Sequence, residues 1–137
     1  MSAQFRSAIG HTGKLILSAG HNLAVLRSRN ALIETAGYQV VTTRESALVV
    51  ELARRQHFDA VVLCNSLPSH LRVSIARDLK KAMPTLPIIV ICTAAERQHF
   101  QGLVQEIVDA EHGVSQPLLE AISRKAGEPD AGEAVAD

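Results

Sequence analysis

The residues best suited to chemistry in this chain are two cysteines, each closing an apolar run: Asp59-Ala-Val-Val-Leu-Cys64 and Ile88-Ile-Val-Ile-Cys92. If the runs are neighbouring strands of a parallel sheet, their ends lie about 4.8 Å apart. A disulfide is then geometrically conceivable, and Cys64 and Cys92 form a candidate redox pair. The competing reading is that both thiols fill buried space as small hydrophobes. His21 would join them in a Cys2His zinc site, for which no fourth ligand is evident. Gly10-His-Thr-Gly13-Lys14 has the outline of a phosphate-binding loop. Ala8, however, stands where its upstream glycine belongs, Leu15 replaces the hydroxyl residue, and a strand-like run follows instead of a helix. The histidines show no HxxxH or HExxH spacing.

Apolar runs and helical patterns alternate along the chain. Lys14-Leu-Ile-Leu-Ser18 reads as a buried strand, and Asn22 can cap a helix that Gly37 stops. Tyr38 to Thr42 is β-branched and alternating, so it reads as a strand, and Glu45 to Gln56 as a helix. The two cysteine runs are continuous, the mark of central parallel strands covered on both faces. Between them a helix is expected over about His70 to Met83, ended by Pro84 and Pro87. Arg72, Arg77, Lys80 and Lys81 make it basic, either as a solvated face or as a dock for an acidic partner. A helix is predicted from about Glu96 to Val108, on the spacing of Phe100, Leu103, Val104 and Ile107. A weak fifth strand is predicted near His112 to Ser115, and a last helix after Pro117 that Gly127 ends. Five strands and five helices in strict alternation predict a doubly wound α/β domain, a parallel sheet with helices on both faces.

Ligands of such sheets sit beyond the C-terminal ends of the strands. There the chain resembles the receiver domain of bacterial two-component response regulators. The resemblance rests on Lys14-Leu-Ile-Leu, on Glu34-Thr-Ala-Gly-Tyr38-Gln-Val, and on Phe58-Asp-Ala-Val-Val-Leu63 running to Leu67-Pro68. Leu86-Pro-Ile-Ile-Val-Ile91 and Gln116-Pro117 complete it. It implies a flavodoxin-like, three-layer fold with five parallel strands in the order 2-1-3-4-5. It further implies signalling through the face of the fourth helix, fifth strand and fifth helix, with a weak homodimer through the last helices. The domain would span residues 14–126, between a flexible N-terminal segment (1–13) and a disordered acidic tail (127–137).

The receiver's working residues are not matched. The acidic pair after the first strand falls on Ala19 and Gly20, and the phosphate-accepting aspartate on Cys64. The hydroxyl residue ending the fourth strand falls on Cys92, with Thr93 adjacent, and the lysine of the fifth loop on Gln116. The aromatic residue of the fifth strand falls at or near Gly113, and Arg72 displaces a small residue after the third strand. The expectation is a degenerate pseudo-receiver, not an enzyme and without a cofactor, that works by protein–protein interaction. A thiol-based redox switch is the alternative.

Charge and composition agree with that expectation. Fourteen basic and 14 acidic residues balance, which argues against bulk nucleic-acid or membrane-surface binding. The balance is uneven, because Glu128, Asp130, Glu133 and Asp137 have no basic neighbour within 127–137. With so short a tail, no DNA-binding helix-turn-helix is expected after the domain. An apolar content of 47% predicts a globular chain that builds its own core. Cysteines confined to apolar runs suit a reducing compartment. No apolar run reaches 18 residues, and Met1 to Gly13 lacks the apolar stretch of a signal peptide. Arg6, two serines and no acid give that segment a faint transit-peptide composition; a loose terminus is the simpler account. A cytoplasmic location is expected.

Overall fold

The structure is a computed structural model and describes residues 13–129. The expectations for segments 1–13 and 127–137 therefore lie, except at residues 13 and 127–129, outside the described residues, as does most of the Gly10–Lys14 loop. Five parallel strands are arranged β2-β1-β3-β4-β5: β1 (Leu15–Ala19), β2 (Gln39–Thr43), β3 (Ala60–Leu63), β4 (Ile88–Cys92) and β5 (Glu106–Asp109). The helices are α1 (Leu23–Thr35), α2 (Val49–Arg55), α3 (Ser69–Ala82), α4 (Arg97–Phe100) and α5 (Ser115–Ala126), with a 3-10 turn at Ser46–Leu48 ahead of α2.

Alternation along the strands divides the core in two. Leu15, Leu17, Val61, Leu63, Ile88, Val90 and Cys92 face α2, α3 and α4, packing with Ala53, Ile75, Leu79 and Phe100. Ile16, Val40, Ala60, Val62, Ile89 and Ile91 face α1 and α5, packing with Ile33, Leu118, Ala121 and Ile122. Residues of β1, β3 and β4 are buried on both faces, so these strands read as continuous apolar runs. The predicted Asn22 cap forms, its Oδ1 accepting from the Val25 amide at 3.0 Å.

Three boundaries differ from the sequence expectation. The helix predicted from Glu96 to Val108 is one turn, α4: Gln101 is already extended (ψ 130°), and Gly102 at φ +79° completes the turn away from the helical path. The strand predicted at His112–Ser115 lies instead at Glu106–Asp109, where Ile91 pairs with Val108 and Cys92 with Asp109. Ile107 packs on the α3 side and Val108 on the α5 side; apolar neighbours facing opposite ways are a strand's pattern, which a helical reading had absorbed. The last helix begins at Ser115, with Pro117 in its first turn, where a backbone N–H has no intrahelical partner to lose.

Candidate functional site

Ala19, Gly20, Cys64, Cys92 and Thr93 stand at the C-terminal ends of the strands, whereas Gln116 does not. Ala19 is buried at the end of β1, and Gly20 donates its amide to the Thr43 carbonyl. Ser66, from the loop after β3, packs over them. Its Oγ accepts from the amides of His21 at 3.0 Å and Asn22 at 3.2 Å. A Cβ added to Gly20 would lie 2.8 Å from that Oγ, 3.0 Å from the Cys64 Cβ and 3.1 Å from Leu26 Cδ2. Glycine is the residue that admits this approach.

The two cysteines do not meet. The β3–β4 register pairs Leu63 with Val90, which sets Cys64 beside Ile91 and one position short of Cys92. Alternation then sends the Cys64 side chain toward α1, near Gly20 and Leu26, and that of Cys92 toward α3 and α4. A disulfide would need one side chain to pass through the sheet. Both thiols are free and buried. Burial pushes the Cys92 thiol above its usual range, and Glu96 adds to the shift, so the nucleophilic thiolate is suppressed. Both thiols should react with a disulfide reagent only as fast as the chain unfolds, and rapid modification of either in the native protein would refute this packing. The zinc reading fails on the same geometry, and among the described residues no three His, Cys, Asp or Glu side chains form a metal-binding group.

An arginine dominates the other side of this edge. Arg72 belongs to α3, where it extends the buried row of Ile75, Ala76 and Leu79, and it is only 2% exposed. It is neither in a loop nor on the solvated basic face predicted for this helix; Arg77, Lys80 and Lys81 are the exposed members. Its Nε donates to the Leu67 carbonyl at 2.9 Å, and its Nη1 donates to the Ile91 carbonyl at 2.7 Å. Its Nη2 bonds Glu96 Oε2 at 2.8 Å, and the guanidinium lies 5.5 Å from the centre of the Phe100 ring.

Glu96 and Thr93 exchange hydrogen bonds as a capping box ahead of α4. Glu96 Oε1 accepts from the Thr93 amide, and Thr93 Oγ1 accepts from the Glu96 amide. Burial raises the Glu96 carboxyl, but the Thr93 amide and Arg72 outweigh it and hold the acid below its usual range.

No protein-family model and no curated protein matches the sequence. Among solved structures, the chain is similar to a response regulator receiver domain protein from Clostridium thermocellum. The two are 19% identical with a TM-score of 0.72, over 90% of this chain and 99% of the other. It is also similar to the receiver domain of the sensor histidine kinase PA1611 from Pseudomonas aeruginosa PAO1, whose structure has magnesium coordinated in its active site cleft. There the identity is 21% and the TM-score 0.71, over 85% of this chain and 100% of the other. The beryllofluoride-activated NtrC4 receiver domain dimer matches at 17% identity and a TM-score of 0.67, over 81% of this chain and 95% of the other. The chain has the receiver fold.

The residue ending β5 beside Cys92 is Asp109, whereas Gln116, expected at the receiver lysine's position, lies beyond the strand. Gln116 lies in the exposed first turn of α5, its Nε2 donating to Glu120 Oε2. The Gln-Pro dipeptide follows the strand expected at His112–Ser115; with β5 at Glu106–Asp109 it falls in the helix after the loop. Gly113 is likewise beyond β5, so the aromatic position of the receiver resemblance does not fall there. Asp109 accepts from the Glu111 amide and pairs with His112 at 2.6 Å, and these contacts hold its carboxyl below its usual range. Asp109 in turn holds the His112 imidazole above its own.

The sequence places Arg72 after the third strand, and Ser66 and Glu96 in loops of this edge, but it assigns none of them the contacts seen here, although two signals are present. Thr93-Ala-Ala-Glu96 has the capping-box spacing, and Arg72 lies three, four and seven residues before the apolar positions of its helix.

Proposed function

We propose that this chain is a pseudo-receiver: a two-component-type signalling module that binds a partner protein, takes no phosphoryl group at its sheet edge and is not an enzyme. One observation carries the reading: β1 and β3 end in Ala19, Gly20 and Cys64, and Ser66 is packed against them. Magnesium requires hard oxygen ligands, usually one or two carboxylates. Aspartyl phosphorylation requires a carboxylate nucleophile, and a buried neutral thiol is no substitute. Two acids of this edge are already engaged, Glu96 by Arg72 and Asp109 by His112. The end of β5 offers a carboxylate where charge building on phosphoryl oxygens would need a cation.

The fold supports a partner protein as the output, and the activated NtrC4 dimer supports a weak homodimer as a second mode. Nucleic acid and membrane are not partners in this reading. Among the described residues no helix is long and apolar enough to cross a membrane. With two free buried thiols, a cytoplasmic setting fits. The alternative redox switch at Cys64 and Cys92 is disfavoured by their opposite faces.

Incubation with a small phosphodonor and magnesium, followed by intact-mass measurement, tests this. The expected mass is unchanged, and a stoichiometric phosphate adduct on any residue would overturn the proposal.

A further inference from the structure

We infer that Arg72 is a permanent internal latch, which holds the segment after β4 closed against the sheet edge without any added group. This goes beyond the reading above and does not depend on a partner. The guanidinium joins three parts of the chain that the sheet ladder leaves separate. These are the loop after β3 through the Leu67 carbonyl, the end of β4 through Ile91, and the segment leading into α4 through Glu96.

The geometry makes the contact stiff. Each nitrogen of the guanidinium donates to an acceptor, and the Phe100 ring covers one face. Glu96 is fixed in turn, because its second oxygen caps the Thr93 amide. Arg72 is buried and Glu96 is only 25% exposed, so salt and water weaken the pair less than a fully exposed bridge. The segment it holds has little else. Its helix is a single turn, and Ala94, Ala95, Arg97, Gln98 and His99 are exposed, with Phe100 as the one fully buried anchor. A segment with so few buried contacts opens locally unless something specific closes it. Arg72 and Glu96 supply that closure, and the surface carrying Arg97 and His99 is thereby set by the fold itself.

Amide hydrogen exchange on the full chain tests the latch. Glu96→Gln keeps the shape and the cap to Thr93 but removes the charge opposite Arg72. The control is a substitution at Ile33, buried beneath α1 on the opposite face, chosen as valine or alanine to match the loss of global stability. If the latch operates, amides 96, 97, 99 and 101 exchange roughly tenfold faster in Glu96→Gln. In the Ile33 control they keep their wild-type rates. Unchanged exchange in Glu96→Gln would overturn the inference. Equal acceleration in the control would overturn it too, since the segment would then open only with the whole domain.

Discussion

Changing Arg72 to methionine should destabilise the domain by about 2–4 kcal/mol, because it strips two buried carbonyls of their donor and the partly buried Glu96 of its cation. The loss has three parts. The Leu67 and Ile91 carbonyls lose their donor in a site without solvent, each at the cost of an unsatisfied buried acceptor. Glu96 keeps the Thr93 amide but loses the cation that, with it, holds its carboxyl low. The face of Phe100 loses the charge stacked on it. Methionine restores much of the volume, so the cost is not mainly that of a cavity. Urea unfolding measures it: the midpoint should fall by more than about 1 M at unchanged slope. Arg77→Met, exposed on the same helix, should stay within about 0.5 kcal/mol. Similar small effects at both positions would show that the buried arginine is not a structural centre.

The second large effect concerns restoring an acid. Gly20→Asp puts a carboxylate back at one position of the receiver's acidic pair, yet it should destabilise the protein by about 3 kcal/mol and create no magnesium site. The new Cβ would meet Ser66 Oγ at 2.8 Å, Cys64 Cβ at 3.0 Å and Leu26 Cδ2 at 3.1 Å. Ser66 can turn away only by releasing the His21 and Asn22 amides, and Cys64 is held by the backbone of β3. A single carboxylate beside Cys64 and Ala19 still lacks the further oxygen ligands that magnesium takes. Thermal unfolding with and without magnesium reads both claims. A stable Gly20→Asp variant whose melting temperature rises with magnesium would mean that the site remains competent and is merely missing one residue.

Much of the fold is legible in the amino-acid order. Strands buried on both faces must be apolar at every position, so the runs ending in Cys64 and Cys92 declare themselves. Asn22 and Gly37 mark the two ends of α1 through local backbone chemistry alone. The fifth strand is not legible in this way. Gln105-Glu-Ile-Val-Asp109 is short and follows apolar residues at helical spacing, and only pairing with β4 decides between the two periods. The positions of Gln116 in α5 and of Asp109 at the end of β5 are hidden in the sequence for the same reason.

The sequence by itself determines what this protein lacks: no carboxylate stands at Ala19, Gly20 or Cys64, whatever the fold does around them. It also determines the alternation of elements that makes a doubly wound sheet, because periodicity and caps are local properties. Only the tertiary structure decides what occupies the edge instead. Sheet register separates Cys64 from Cys92 onto opposite faces, and helix packing turns Arg72 inward from a basic row that otherwise faces solvent. A side chain's charge is written in its type. Its partners, and therefore whether that charge holds the fold together or merely meets water, depend on residues 5, 19 and 24 positions away in the chain that only folding brings within reach.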